Sequence, residues 1–388
     1  MEYQVMVDQE AGFAFFDAIL RRWNEKKFPF NHPNVVVPQM LIPAELRADR
    51  RVLACFYFYV CIYMRGGIES AQAFRALIQL WQDLPDLFDP FYVQSESPAD
   101  MAKVLKEYIG WDSRAAGYAW VENSGRLMRH WKGDPLLLFK GIRTYEEAMR
   151  RLRNKRTKRD KKASGLDGYG FYGFQPKMVS MLIYFFDWEK WLTKRFIYPT
   201  PADFHNFRLG FNQGILELNV IVDAVRITEY ISRRWRELTM KYMEARGADP
   251  VELADAIWLF SYWLCGRSPL NVTPKQGSDA PVSYAEHAEQ QAKKRQELLK
   301  KGSGKRRMLM QTCLRCPFLD SCGLSIPSGP YYGRRKDGYK GGMLLLTTRL
   351  RVEEKIGKLD PDGPILIPRI KRSTMVQHAL VLEVEPDG

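Results

Sequence analysis

Three cysteines stand in the spacing C-x2-C-x5-C, within Cys313-Leu314-Arg315-Cys316-Pro317-Phe318-Leu319-Asp320-Ser321-Cys322. That spacing wraps the chain tightly enough for each sulfur to reach one inorganic core. Thiolates are the ligands that iron–sulfur clusters and zinc prefer. A fourth ligand is needed, and Cys265, directly after Tyr262-Trp263-Leu264, is the candidate. The set Cys265, Cys313, Cys316 and Cys322 therefore reads as a metal site, with a cluster and a structural zinc both open. Cys55 and Cys61 fall inside an unbroken apolar run and read as buried small hydrophobes.

Two further stretches carry chemistry. Gly168-Tyr169-Gly170-Phe171-Tyr172-Gly173-Phe174-Gln175-Pro176-Lys177 runs straight into the apolar segment Met178 to Phe185. A glycine-containing turn with proline at the first helical position makes a helix N-terminus. Its N–H groups and the helix dipole both favour an anion, although many such turns are simply tight connections. Next comes Pro199-Thr200-Pro201-Ala202-Asp203-Phe204-His205-Asn206. Asp203 reads either as an N-cap or as a carboxylate kept ionised at a helix N-terminus, facing whatever binds the turn. His205 reads as a structural, hydrogen-bonding residue.

The elements that must position these residues read almost entirely as helix. Val52 to Met64 is a charge-free apolar run of 13 residues, suited to the centre of a domain and too short for a bilayer, which needs about 20. Arg65-Gly66-Gly67 breaks it. Helices are expected over 69–81, from a Ser97 cap with Asp100 three residues on, and over 115–128, 145–152, 176–188, 211–245 and 251–264. No alternating strand pattern occurs before Pro364 to Pro368 and Ala379 to Val384. Arg150 to Lys162 holds nine basic residues and one acid, and Pro274 to Gln311 is polar with a helix-like middle at 284–301 and a glycine break at 302–304; both read as insertions or edges.

The 388 residues include 59 Lys and Arg against 45 Asp and Glu, a net charge of +14, with 46% apolar and 13% aromatic residues. Such a chain has the material for a core, and its basic excess points to a polyanion. The N-terminal segment lacks the pattern of a signal peptide, and six cysteines without export signals fit a reducing compartment better than disulfides.

In order, these features resemble the helix–hairpin–helix (HhH-GPD) DNA glycosylase superfamily, the group that contains endonuclease III and MutY. That family carries a hairpin L-P-G-V-G-x-K-T-A, then V-D-x-H-V with the catalytic aspartate, then a C-x6-C-x2-C-x5-C loop holding a [4Fe–4S] cluster. Here the hairpin reads Tyr172-Gly173-Phe174-Gln175-Pro176-Lys177-Met178-Val179 and the aspartate motif Ala202-Asp203-Phe204-His205-Asn206. The last three cysteines match in spacing. The chain departs in several places: Gln175 replaces the second hairpin glycine, Lys177 and Asp203 lie 26 positions apart, and 47 residues separate Cys265 from Cys313 where the family has six.

The resemblance implies a mostly α, two-lobed helical glycosylase fold with an iron–sulfur loop and a short β-containing C-terminal extension. The segments would be an N-terminal extension at 1–50, a barrel-like lobe with the hairpin at 51–200, a lobe with the aspartate and cluster at 201–325, and the extension at 326–388. It also implies a [4Fe–4S] cofactor on Cys265, Cys313, Cys316 and Cys322, and Asp203 as the catalytic carboxylate. Lys177 would be a nucleophile forming a Schiff base, or a phosphate-binding lysine; Gly173, Gln175 and Arg315 would face the DNA backbone. The expected protein is a cytoplasmic, nucleoid-associated monomer acting on double-stranded DNA without a membrane partner. It would excise a damaged or foreign modified base; the alternative is a non-catalytic iron–sulfur nucleic-acid-binding protein.

Overall fold

The computed structural model describes residues 5–64, 70–109, 114–153, 170–218, 224–225, 228–267, 304–312, 315–318, 321–322, 326–331 and 342–346. These residues are mostly helical. In chain order the longer helices are α1 (Gln9–Asn24), α2 (Arg50–Tyr63), α3 (Ser70–Asp83), α4 (Pro98–Ile109), α5 (Arg114–Trp131), α6 (Tyr145–Arg153), α7 (Pro176–Trp188), α8 (Phe204–Asn212), α9 (Thr228–Arg246), α10 (Pro250–Trp263) and α11 (Gly304–Gln311). Their starts follow from local chemistry. Asp49 Oδ1 accepts from the Arg51 and Val52 amides at 2.7 and 3.1 Å, Ser97 Oγ accepts from Asp100 N at 3.4 Å, and Pro176 opens α7.

Two expectations are corrected. Short strands occur well before residue 364: β1 (Val5–Val7), β2 (Leu216–Leu218), β3 (Ala224–Val225), β4 (Ile326–Tyr331) and β5 (Gly342–Leu346). β1 pairs antiparallel with β2, and β5 lies between β3 and β4, antiparallel to both. The single helix expected over 211–245 is instead the end of α8, a turn at Gln213–Gly214, β2, β3 and then α9. The cause is non-local: residues 216–218 find their backbone partners in residues 5–7. Lys305 to Arg307 lie within α11, and 150–153 close α6. The expectations placed on 65–67, 154–162, 284–301, 302–303, 364–368 and 379–384 lie outside the described residues.

The chain divides into two compact units. One, the mid-chain unit, comprises Val36–Pro201 with Asp249–Val251; the other, the terminal unit, comprises Met1–Val35, Ala202–Ala248 and Glu252–Gly388. In the mid-chain unit every residue of α2 from Leu53 to Tyr63 is buried, which is why a helix apolar on all sides is stable there. Tyr57 stacks on Phe185 of α7 at 4.6 Å, Tyr59 on Trp120 of α5 at 4.4 Å, and Phe58 packs against Phe171 and Phe174 of the glycine turn. Cys55 and Cys61 are buried in this helix, as expected.

In the terminal unit Phe16 of α1 meets Trp235 and Tyr242 of α9, while Phe15 meets Phe260 of α10. Among the described residues no helix is long and apolar enough to cross a membrane.

Candidate functional site

Asp203 begins α8. Its backbone is extended, and its Oδ1 accepts from the amides of His205 and Asn206 at 2.9 and 3.4 Å. Asn206 Oδ1 accepts in return from Asp203 N at 3.1 Å, so the two residues form a capping box. The carboxylate is half-buried and stands at the positive end of the helix dipole. Three residues on the helix behind it, His205, Arg208 and Asn212, repeat at helical spacing and are buried.

Each of these three reaches the end of α10 or the short turn Cys265–Arg267 that follows it. His205 Nδ1 lies 3.3 Å from Ser261 Oγ, and that hydroxyl donates to the His205 carbonyl at 2.9 Å. The His205 ring also stands beside Trp258 and Tyr262. Arg208 packs against Gly266, where even a Cβ would come within 3.1 Å of its Nη1, so glycine permits the approach. Burial pulls the Arg208 guanidinium down to about 10, while the charges of Cys265 and Asp203 pull it back up. Asn212 Nδ2 lies 4.0 Å from Cys265 Sγ.

The cysteine loop belongs to the same unit and is fastened to it at three places. Phe318 packs on Phe15 at 4.9 Å and on Phe260 at 5.2 Å. Arg315, exposed, lies over the Phe28 ring at 4.4 Å. Ser321 Oγ donates to Gln213 Oε1 at 2.6 Å. Ser321 precedes Cys322 and Gln213 follows Asn212, so the end of α8 touches both the Cys265 sulfur and the neighbour of Cys322. Cys265, Cys316 and Cys322 are half-buried and none is in a disulfide; Cys313 lies outside the described residues. Among the described residues no group of three or more His, Cys, Asp or Glu is arranged to hold a metal ion. In chemistry the donor set fits a thiolate-ligated metal or cluster: soft sulfur donors, and a buried cation beside Cys265 that favours a thiolate.

The glycine turn lies in the mid-chain unit. Asn123, wholly buried on α5, grips Tyr172 from both sides: its Oδ1 accepts from Tyr172 N at 2.7 Å and its Nδ2 donates to Tyr172 O at 2.8 Å. Phe171 and Phe174 are sealed in the core, and Gly173 takes a φ of 89°, open to glycine and strained for other residues. Gln175 stands at the N-cap of α7 without capping it by side chain; its Oε1 accepts from Arg153 Nη2 at 3.1 Å. Lys177, half-buried in the first turn, is close enough for its charge to pull down the Cys61 thiol, which burial pushes up.

The structure thus groups Gly173, Gln175 and Lys177 on one turn in one unit. Asp203, Cys265, Cys316, Cys322 and Arg315 fall in the other. Sequence reasoning missed Asn123, Arg126, Arg208, Asn212 and Gln213. Arg208 and Asn212 had a signal, since positions 205, 208 and 212 share one helical face. Asn123 had none, since its partner is a backbone 49 residues away. The chain matches no protein-family model, and no curated protein matches it significantly.

Proposed function

We propose that this protein is a DNA glycosylase of the helix–hairpin–helix type that excises a damaged or foreign modified base. The observation that carries the reading is α8, which presents a carboxylate at its N-terminus and touches Cys265 and the cysteine loop at its C-terminus. In this reading the Asp203 carboxylate stabilises the positive charge that develops on the sugar as the glycosidic bond breaks. The turn at Gly173 and the start of α7 hold a backbone phosphate, with Lys177 adding charge there or serving as nucleophile. Cys265, Cys313, Cys316 and Cys322 would hold a [4Fe–4S] cluster, or a zinc ion, whose bound form cross-links the loop to α10 and places Arg315 towards the DNA backbone. The net charge of +14 supports a double-stranded DNA partner.

The capping box favours a second reading, in which Asp203 serves α8 alone and the protein binds nucleic acid without cutting it. Incubating the purified protein with duplexes carrying different modified bases, and weighing released bases by mass spectrometry, separates the two. Release from one of them is the expected result; no release from any substrate, with DNA still bound, overturns the glycosylase reading in favour of the binder.

A further inference from the structure

The glycine turn carries a surface that phosphate binding leaves unused. Tyr118 of α5 is 44% exposed. Its ring meets Tyr172 edge-on at 5.2 Å and 75°, and the two phenols share a hydrogen bond that pushes the Tyr118 hydroxyl up. Arg126 lies over the Tyr172 ring at 4.3 Å. Its guanidinium is fixed by Glu122 Oε1 at 3.1 Å and by the Gly170 carbonyl. The Asn123 clamp fixes the Tyr172 backbone, and the buried Phe171 and Phe174 fix its neighbours.

These side chains are therefore set before any ligand arrives, and a partner that stacks on them avoids the cost of ordering them. The chemistry of the patch selects among partners. An apolar protein surface would gain little from a patch that carries the Arg126 guanidinium over its Tyr172 ring. A flat ring attached to an anionic backbone uses the patch: it stacks on the exposed Tyr118 face beside the Tyr172 edge, and the adjacent helix start accepts a phosphate.

We propose that Tyr118 and Tyr172, together with Arg126, form a stacking platform for an unpaired nucleobase of DNA whose backbone phosphate lies at the Gly173 turn. The inference rests on the nucleic-acid part of the reading above and not on its glycosidic chemistry. Tyr118 is exposed, so Tyr118→Ala leaves the fold intact, and Tyr118→Trp restores a stacking face.

The test uses DNA with an unpaired 2-aminopurine in a bubble, with binding followed by anisotropy across a salt series and stacking by quenching of the probe. Tyr118→Ala is expected to weaken binding about five- to a hundredfold and to relieve the quenching, with Tyr118→Trp restoring both. The slope of affinity against salt should not change, because no phosphate contact is lost. Binding within twofold of wild type, a loss equally large on fully paired duplex, or a wild-type protein that binds no DNA overturns the platform. Base release read alongside keeps the two readings apart. Quenching that depends on Tyr118 without base release removes the glycosylase and leaves the platform, whereas base release indifferent to Tyr118 does the reverse.

Discussion

Two substitutions at Asp203 separate its service to the helix from its service to a reaction. Asparagine keeps an oxygen where Oδ1 accepts from His205 N at 2.9 Å and Asn206 N at 3.4 Å, and asparagine caps helices about as well as aspartate. Asp203→Asn should therefore keep the cap. Alanine also removes the cap, costing about 1 kcal/mol more, and both variants take away one of the two charges that offset the buried Arg208. The effect on chemistry has a different size. A carboxylate about 4 Å from a developing positive charge, at the effective dielectric of a partly buried site, contributes about 4 kcal/mol, or about a thousandfold in rate. Both variants lose that charge, so both should lose about three orders of magnitude in single-turnover base release, while alanine should melt about 1 kcal/mol below asparagine. Thermal melts and release kinetics on the same preparations give the comparison. If Asp203→Asn releases base at the wild-type rate, the carboxylate is only a cap and the mechanism proposed here is wrong.

Purified protein should contain iron and a broad absorbance near about 400 nm, and Cys265→Ser should lose both; zinc without iron would refute the cluster. After a chelator strips the metal, alkylation at pH 8 should modify Cys265, Cys316 and Cys322 and spare Cys55 and Cys61. Burial lifts the Cys55 thiol from 9.0 to about 12, so the fold favours its neutral form. That preference contributes stability below about pH 9 and is lost as pH rises towards 12, and peptide mapping should show Cys55 labelling appear only in that window. Asn123→Ala leaves the Tyr172 N–H and carbonyl without their buried partner and should destabilise the mid-chain unit by about 2 kcal/mol in denaturant melts.

What the sequence made legible follows from how local each cause is. Thirteen consecutive apolar residues from Val52 to Met64 allow few outcomes besides a buried helix, and α2 is one. Ser97 and Pro176 mark helix starts because capping and proline sterics act within a few residues. The break in 211–245 was hidden because its cause is a pairing with residues 5–7, and three-residue strands are too short to show alternation. At the site, Asp203 was readable as a cap, since the capping box spans three residues. The contacts that give α8 its interest were not, because Asn212 meets Cys265 and Gln213 meets Ser321 across 53 and 108 positions.

One buried charge links the two ends of that helix. Nine residues of helix span about 13 Å, short enough for Arg208 to feel both the carboxylate before it and the sulfur of Cys265 beside it. A guanidinium taken out of water loses solvation that only neighbouring anions restore, and its two named anions are unequal. Aspartate is ordinarily an anion at neutral pH, whereas cysteine is not and becomes a thiolate when it ligates a metal. In the proposed reading, ligation at Cys265 therefore supplies the second anion and lowers the cost of keeping Arg208 buried. The cation that Cys265 then shares is the one that also attracts Asp203, so the same step that fastens the loop alters the electrostatic setting of the carboxylate. A cysteine site at the opposite end of α8 from Asp203 would then bear on glycosidic chemistry without touching the sugar.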